Sequence, residues 1–290
     1  MTITQLEPPM HSSIPLAPTQ RNNCHTIAVW GSAGSGKSTI AVNLAFELAQ
    51  FGGRVILIDL DNRRPSIASM LALTDAGPGI TAVTRLGRQQ RLTIDEIKRL
   101  SAEIKFQNRT LDVLTGINLP NRWPELDPIG LGALFEVVLG DYDFVVLDLN
   151  DELEEGLVSV RGQADRNFAT QFSLDRAETV LGVFTADAIG LNRFLFDVQG
   201  INRDYVPIAN RVDSARLGKN PERQIRQALY QAGKIDPKVL LPQDNAAVEW
   251  QALKAKPLLL QNKNSKLGSA LHLLSLDLRD SLASPLNSDM

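Results

Sequence analysis

Residues 25–53, HTIAVWGSAGSGKSTIAVNLAFELAQFGG, decide the fold of this chain. HTIAVW is a short apolar run typical of a buried strand, and residues 38–51 carry apolar side chains at the spacing of one helix face. The Gly52-Gly53 pair that follows suits the end of a helix. A strand that runs through a glycine-rich loop directly into a helix predicts an α/β fold.

The same alternation of apolar runs and helical periods continues along the chain. Strands are predicted near residues 25–30, 54–60, 111–115, 143–149, 178–184, 205–209 and 237–241. Several of them, such as RVILIDL and FVVLDL, are apolar throughout, as expected where helices cover both faces of a sheet. We therefore predict a central, mostly parallel sheet with helices on both faces. Residues 79–109 are interpreted as two short helices inserted between the second and third strands.

Length and composition allow one large domain. The 290 residues, 43% of them hydrophobic, can build a sizeable core. Thirty basic against thirty-three acidic side chains give a net charge of -3, so composition alone does not indicate a nucleic-acid partner. We predict a disordered, proline-rich tail at residues 1–23, a single domain at 24–282 and a flexible C-terminus at 283–290.

The number and spacing of cysteine and histidine residues limit the kinds of metal site that this chain can form. Cys24 is the single cysteine, which excludes an internal disulfide and a thiolate cluster built by one chain. The three histidines lie far apart in sequence, so a bound metal would depend on oxygen ligands. No window reaches about eighteen consecutive apolar residues. We expect a cytoplasmic protein without a membrane span.

The segment 31–38, GSAGSGKS, matches the pattern GxxxxGK[ST] in full. Such a loop wraps main-chain N–H groups around phosphate oxygens, at distances that a Cβ would obstruct. Lys37 would add a charge at the β and γ phosphates, and Ser38 would offer a hydroxyl to Mg²⁺. We predict binding of ATP with Mg²⁺, against the alternative of a glycine-rich turn without a ligand. The candidate binding residues are Gly31, Ser32, Ala33, Gly34, Ser35, Gly36, Lys37, Ser38 and Thr39.

Three aspartates at predicted strand ends complete the candidate site, because ligands of parallel sheets bind beyond the carboxyl ends of the strands. Asp148 closes the run FVVL, as expected of a carboxylate that reaches Mg²⁺, often through water. Asp59 and Asp61 lie where the second strand ends, and one could orient the attacking water while the other supports the metal. Two structural alternatives stay open. Asp148 could be a turn carboxylate, and the Asp59–Asp61 segment could cap the next helix, for which Asn62 and Ser66 are equally suitable.

With these residues in place, the chain resembles the MinD/ParA class of P-loop ATPases from residue 25 to residue 280. The phrases that carry the likeness are GSAGSGKSTIAVNLAFELA, VILIDLDNRRPSIASMLAL, YDFVVLDL and LPQDNAAVEWQALKAKPLL. Within that class, LDVLTGINLPNRWPEL and the NRVD segment look most like CpaE/TadZ proteins, which position Flp pilus and type IV secretion machinery.

The resemblance implies an ATP-bound homodimer that positions or scaffolds a pilus or secretion assembly, with recruitment to a cell pole left open. Asp61 matches the family's water-orienting aspartate and Lys37 its phosphate-binding lysine, so both are catalytic candidates. Ser38 and Asp148 match the family's magnesium groups, and Asp59 is added to them as a metal candidate.

Two residues are candidates for contacts with the nucleotide base. Asn210 begins the NRVD segment, which is similar to the NKxD element by which GTPases read guanine, whereas the MinD/ParA class uses this asparagine for adenine. Pro242, in the phrase LPQDN, is the second candidate. A simple turn is an equal alternative for NRVD. ATP is preferred to GTP because of the whole-chain resemblance.

Two departures from the family pattern predict slow hydrolysis. The family's signature lysine, which reaches the partner's phosphates, would fall at Ser32, and Asn150 stands where a small Gly or Pro is expected. Removal of a comparable arginine finger costs a rate factor of about 10³ to 10⁵. Arg63 or Arg64 could substitute for the lysine, although solvation of both side chains is the favoured interpretation.

Three other functions are alternatives to an ATP-dependent dimer that positions or scaffolds an assembly. Residues 85–99 carry a basic face that could contact DNA, as in a ParA-like partition ATPase, but a solvated helix face is favoured. A leucine stripe on the last helix could bind a membrane, as in MinD-like division proteins, but packing onto the sheet is favoured. A P-loop kinase is a further alternative, although only three tyrosines occur and none cluster at the C-terminus.

Overall fold

The computed structural model describes residues 24–73, 75–153, 165–201, 203–213, 220–233, 235–261 and 265–283. The predicted tail at 1–23 and residues 284–290 of the predicted flexible C-terminus lie outside the described residues. Within these ranges, one eight-stranded sheet has the order β3-β4-β2-β5-β1-β6-β7-β8. The strands are β1 His25–Gly31, β2 Val55–Asp59, β3 Ala102–Phe106, β4 Arg109–Leu114, β5 Phe144–Asp148, β6 Thr179–Thr185, β7 Val206–Val212 and β8 Val239–Pro242.

The predicted α/β fold with a mostly parallel sheet is confirmed. Each pair of neighbouring strands runs parallel except β3 and β4 at one edge, which are antiparallel. All seven predicted strands are present, with ends shifted by a few residues. Because β5 lies between β1 and β2, the ends of these three strands meet at the centre of the carboxyl edge.

The interpretation of residues 79–109 as two helices is wrong for its last third. Helices occupy 79–88 and 94–100, but 102–106 form the strand β3, which makes a hairpin with β4. The turn residues Gln107 and Asn108 both have positive φ, 42° and 61°, which suits a two-residue hairpin turn. Burial alternates along AEIKF, the period of a strand with one covered face.

Helices cover both faces of the sheet. They are α1 Lys37–Gln50, α2 Ile67–Met70, α3 Gly79–Arg88, α4 Ile94–Leu100, α5 Pro128–Asp141, α6 Phe168–Arg176, α7 Ala188–Asp197, α8 Pro221–Gly233, α9 Asn245–Lys254 and α10 Lys266–Ala283, with short 3-10 helices at Pro120–Glu125, Val198–Gly200 and Leu258–Leu260.

Two hydrophobic layers hold these helices on the sheet. Ile27 and Val29 of β1 pack in the layer with α1 and α10, while Ala28 and Trp30 pack in the layer with α3, α5, α6, α7 and α8. Successive side chains of a strand point to opposite faces, so a strand buried on both faces is apolar throughout. This is the physical reason for the uniform runs seen in the sequence.

The last helix packs inward through its leucine stripe. Leu267, Leu271, Leu274 and Leu278 are buried in the layer that contains α1, and α10 also contacts β8. The expected packing of this stripe against the domain is therefore confirmed. In the described ranges, no helix combines the length and the apolar character that crossing a bilayer requires.

Candidate nucleotide-binding site

The loop between β1 and α1 has a conformation that only glycine tolerates at two positions. Gly31 has φ 151°, and a Cβ there would lie 1.9 Å from the carbonyl oxygen of Val183 on β6. Gly36 has φ 97°, and a Cβ there would lie 2.4 Å from Nδ2 of Asn210. The glycines of the motif therefore allow the loop to lie directly against β6 and β7. Ala33 and Gly34 are exposed at its tip.

The N-terminus of α1 has no side-chain cap. Gly36 is its N-cap residue, and no side chain accepts a hydrogen bond from the first turn. In four other helices the side chain of the N-cap residue itself accepts from the first turn, at Thr93, Asp127, Asp187 and Asp244. The first-turn N–H groups of a helix have no partner within it, and together with the helix dipole they favour an anion. The uncapped end of α1 is thus suited to hold phosphate oxygens.

Lys37 and Ser35 place polar groups inside this loop. Lys37 is only 7% exposed although it is charged, and the hydroxyl of Ser35 is buried without a hydrogen-bond partner in the described chain. Buried polar groups without partners cost free energy unless a ligand or water satisfies them. Ser38 and Thr39, the remaining predicted binding residues of the loop, are half-buried at the start of α1.

Asp148 ends β5 directly beside the loop. In the sheet register it lies opposite Val29 of β1 and Asp59 of β2. Both carboxylate oxygens are fully buried, and neither forms a hydrogen bond of ordinary geometry within the described residues. Burial raises the pKa of Asp148 to about 7, with a further contribution from Asp61, whereas the nearby Ser38 hydroxyl and Lys37 ammonium act to lower it.

This arrangement fits a hydrated Mg²⁺ ion bound together with phosphates. Carboxylate and hydroxyl oxygens are the ligands that Mg²⁺ prefers, and the ion commonly keeps several waters and takes substrate phosphates as ligands. Within the described residues, no group of three or more His, Cys, Asp or Glu side chains could hold a metal by itself. Asp148 and Ser38 are therefore suited to an ion that arrives with the nucleotide and takes its other ligands from phosphate and water.

Asp59 is engaged by main-chain donors. One oxygen accepts from the N–H of Asp61 at 3.2 Å, and the other accepts from the N–H groups of Ser66 and Ile67 at 3.1 Å each. The carboxylate therefore caps α2, the role that the sequence also allowed for Ser66, whose own side chain does not cap. Burial, with the charge of Asp148 added, raises the pKa of Asp59 well above its usual range. Asp59 thus lies beside the magnesium candidates with both of its oxygens already hydrogen-bonded.

Asp61 fixes the loop that follows β2. One of its oxygens accepts from the N–H groups of Arg63 at 2.9 Å and Arg64 at 2.8 Å. Arg64 is exposed, as expected, but the predicted solvation of Arg63 is wrong. The Arg63 guanidinium pairs with Glu152 and donates to Asn167 at 3.1 Å, because these groups lie next to it beyond β5.

Asn210 braces the loop from β7. Its Nδ2 donates to the carbonyl oxygen of Ser35 at 2.7 Å, and its Oδ1 accepts from the N–H of Arg211 at 2.8 Å. Pro242 ends β8 and pairs in register with Val212, so both base-site candidates lie at the same edge of the sheet as the loop. The amide of Asn210 therefore supports the phosphate loop, a role that its sequence motif alone did not indicate.

Ser32, at the position of the family's signature lysine, contacts α7. Its hydroxyl donates to Oδ2 of Asp197 at 2.7 Å. Burial raises the pKa of Asp197, and the bond from Ser32 acts against that rise. No sequence signal pointed to Asp197, since it follows Ser32 by 165 residues and lies near the end of an ordinary helix.

Comparison with known proteins agrees with this geometry. The family profile described as the CobQ/CobB/MinD/ParA nucleotide-binding domain matches residues 27–257. A ParA family ATPase from Chlorobium tepidum has a TM-score of 0.73 at 17% identity, covering 89% of this chain and 100% of its own. MinD from Pyrococcus horikoshii, solved with Mg-ADP, has a TM-score of 0.67 at 19% identity, covering 90% of this chain and 98% of its own. At these identities the structures show a shared fold.

Curated relatives match about half of the chain or less. An iron-sulfur cluster carrier protein of Aquifex aeolicus is 33% identical over 133 residues, which is 43% of this chain and 32% of that protein. A tyrosine-protein kinase of Bacillus subtilis is 30% identical over 143 residues, 48% of this chain and 55% of the kinase. The chain thus spans between a third and about half of the length of these two relatives. On the family profile and the fold, the chain belongs to the CobQ/CobB/MinD/ParA nucleotide-binding domain family, with the P-loop fold of MinD and ParA.

Proposed function

We propose that this chain binds ATP with Mg²⁺, hydrolyses it slowly, and acts as a dimerising switch that positions or scaffolds a pilus or secretion assembly. The observation that carries the nucleotide proposal is the uncapped N-terminus of α1 beside the buried, unpartnered carboxylate of Asp148. A polyphosphate with its metal ion supplies what both groups lack. We also propose that residues 24–282 act as one domain.

The residues of the site divide the work among them. Lys37 and the loop N–H groups hold the phosphates, and Ser38 and Asp148 hold the magnesium ion, with Asp59 as a further metal candidate beside them. Mg²⁺, when bound, neutralises charge that develops on the phosphate oxygens. Asp61 orients the attacking water through its second oxygen, while the first keeps the N–H groups of its own loop. Asn210 and Pro242 border the position of the base.

Slow hydrolysis follows from the contact of Ser32. A serine cannot carry a positive charge to a neighbouring phosphate, and its hydroxyl is already bound to Asp197. Arg63 is held by Glu152 and Asn167, so it is not free to replace the missing cation. Electrostatic stabilisation of the transferred phosphoryl group is the main catalytic contribution in this chemistry, so its reduction lowers turnover.

Dimerisation would use the edge of the sheet that carries the loop. Ser32 joins the loop to α7, and α7 exposes two large apolar side chains, Ile189 at 65% and Phe196 at 69%. Exposed large apolar groups close to a ligand site are typical of interaction surfaces. The MinD and ParA structures share the fold, and the pilus or secretion role rests on the sequence resemblance to CpaE/TadZ proteins.

The DNA-binding alternative has less support from the charged residues. Arg88 pairs with Asp127 at 2.9 Å and Arg99 with Glu96 at 2.5 Å, so two members of the basic face are neutralised locally. Phosphate contacts require free cations and give a strong dependence on salt. DNA binding that weakens steeply as salt rises would favour the partition function over the scaffold.

Calorimetry and light scattering test the proposal. We expect heat of binding with Mg-ATP, weaker binding with Mg-GTP, and none in Lys37→Ala, while Lys256→Ala, a change at an exposed lysine, behaves as wild type. ATP should also double the molar mass, most stably in Asp61→Ala. Absence of heat with any purine nucleotide would refute nucleotide binding, and a monomer in every state would refute the switch.

A further inference from the structure

Two buried asparagine amides join the loops that follow β2 and β5. Asn62 is 1% exposed and Asn150 is fully buried, and Nδ2 of Asn150 donates to Oδ1 of Asn62 at 3.1 Å. Asn62 in turn donates to the carbonyl oxygen of Arg166 at 2.5 Å, and Asn150 accepts from the N–H of Glu152 at 2.8 Å. Both ends of both amides are therefore hydrogen-bonded. A buried network in which every amide oxygen and nitrogen is engaged restrains both side chains.

Arg63 makes a second connection between the same segments. Its guanidinium contacts Glu152 after β5 and Asn167 at the start of α6, and its side chain is only 23% exposed. The neighbouring residues Asn62 and Arg63 thus both bind groups that follow β5 in the chain. The two strand-end loops are held together at two consecutive positions.

This connection fixes the loop of Asp61. Inside that loop, Asp61 accepts from the N–H groups of Arg63 and Arg64, so its carboxylate moves together with these residues. Outside it, Asn150 holds Asn62, which directly follows Asp61 in sequence. Asn150 is itself two residues after Asp148, whose position is set by the sheet. The main chains are also joined here, because the N–H of Leu60 donates to the carbonyl oxygen of Asp148 at 2.9 Å. Beyond Leu60, the Asn62–Asn150 bond is one of the contacts that set the separation of Asp61 from Asp148.

We propose that Asn150 is a positioning residue for hydrolysis: through Asn62, it holds the loop of Asp61 in place relative to Asp148. The inference rests on the proposed ATPase function and adds a reason for the asparagine at a position where the resemblance expects Gly or Pro. Slow hydrolysis is then attributed to Ser32 and not to Asn150. Those residues have no amide that could reach Asn62. Positioning errors near 1 Å cost about 10²-fold in rate, so a bond of this kind matters to turnover.

Amide hydrogen exchange tests directly whether Asn150 restrains the loop of Asp61. In Asn150→Gly, exchange in residues 61–67 is expected to accelerate at least about tenfold, although the substitution lies in a different loop. Asn150→Ser is the second variant, because serine keeps an oxygen for the N–H of Glu152 but is too short to reach Asn62. Asn118→Ala, a change at an exposed asparagine that accepts from Arg122 at 3.0 Å, is the control and should exchange as wild type.

A single-turnover assay and calorimetry test the consequence for hydrolysis. Asn150→Ser and Asn62→Ala should each lower the single-turnover rate of ATP hydrolysis at least about tenfold. The Kd for Mg-ATP should stay within about twofold of wild type. The double variant should hydrolyse ATP no more slowly than the slower single variant, because both substitutions break the same Asn62–Asn150 bond. If Asn150 had a purely structural role, the same variants would weaken Mg-ATP binding and lower the Tm together with the hydrolysis rate.

The outcomes decide between the inference and the function on which it rests. Unchanged exchange at 61–67 in Asn150→Ser overturns the inference, and so does faster exchange with an unchanged single-turnover rate. Additive losses in the double variant overturn it as well. A wild-type protein that fails to bind Mg-ATP overturns the proposed function instead, and exchange in the nucleotide-free protein still reports whether Asn150 holds the loop.

Discussion

Replacement of Asp148 by asparagine is expected to stabilise the nucleotide-free protein while it abolishes magnesium-dependent nucleotide binding. The carboxylate is buried without a hydrogen-bond partner in the described chain, and burial raises its pKa to about 7 from an ordinary 3.8. At roughly 1.4 kcal/mol per pH unit, the charged form costs the folded state up to about 4 kcal/mol above pH 7. Asparagine has nearly the same shape and carries no charge, so it avoids this cost.

The sign of the pH dependence follows from the raised pKa. Between about pH 4 and pH 7 the folded protein holds a proton on Asp148 that the unfolded chain has lost, so protonation favours folding. This contribution is complete below pH 4 and is lost as the pH rises through about 7. The advantage of Asp148→Asn should therefore be largest at pH 8 and close to zero at pH 4.

Urea unfolding without nucleotide, at pH 4, 6 and 8, measures the effect. Asp143→Asn is the matched control, since Asp143 precedes the same strand at its opposite end. The hydrogen bond from Arg54 lowers the pKa of Asp143, so the charged carboxylate stabilises the folded protein. Asp143→Asn should therefore lower the free energy of unfolding slightly at pH 8, and by less at low pH. A lower midpoint for Asp148→Asn than for wild type at pH 8, or a difference that does not shrink at pH 4, would refute the reasoning.

Four further predictions address other parts of the molecule. Gly36→Ala should abolish nucleotide binding and destabilise the protein by about 1–2 kcal/mol or more, because a Cβ at φ 97° is strained and would meet Asn210; calorimetry and thermal unfolding measure both effects. Asn210→Ala should weaken Mg-ATP binding about tenfold by releasing the carbonyl of Ser35, and an unchanged Kd would contradict the bracing role. Ser32→Lys should raise the steady-state rate of phosphate release, whereas equal and rapid release in both proteins would contradict the account of slow turnover. Asp244→Ala should lower the free energy of unfolding by about 1–3 kcal/mol, since one carboxylate caps both α9 and α10, and a change below about 0.5 kcal/mol in urea unfolding would contradict it.

The sequence by itself determined the elements whose signals are local. The glycine loop, the helix after it and the apolar strands were all predictable, because turn chemistry and side-chain period depend on neighbouring residues. Asp148 was found in the same way, as the polar residue that ends an apolar run. β3 was missed because AEIKF is short, follows a true helix and forms a strand only through its hairpin with β4.

Only the tertiary structure decided how these elements meet. The position of β5 between β1 and β2 brings Asp148 against Asp59, and it brings Asn150 to Asn62 across 88 residues of sequence. The bond of Ser32 to Asp197 spans 165 residues. Such contacts leave no local pattern in the chain, because strand order sets them and each partner is an ordinary polar residue in its own segment. The phosphate-binding residues of the loop are therefore predictable from one stretch of sequence. The side chains that contact and restrain the loop come from distant segments, and the strand order of the sheet brings them to it.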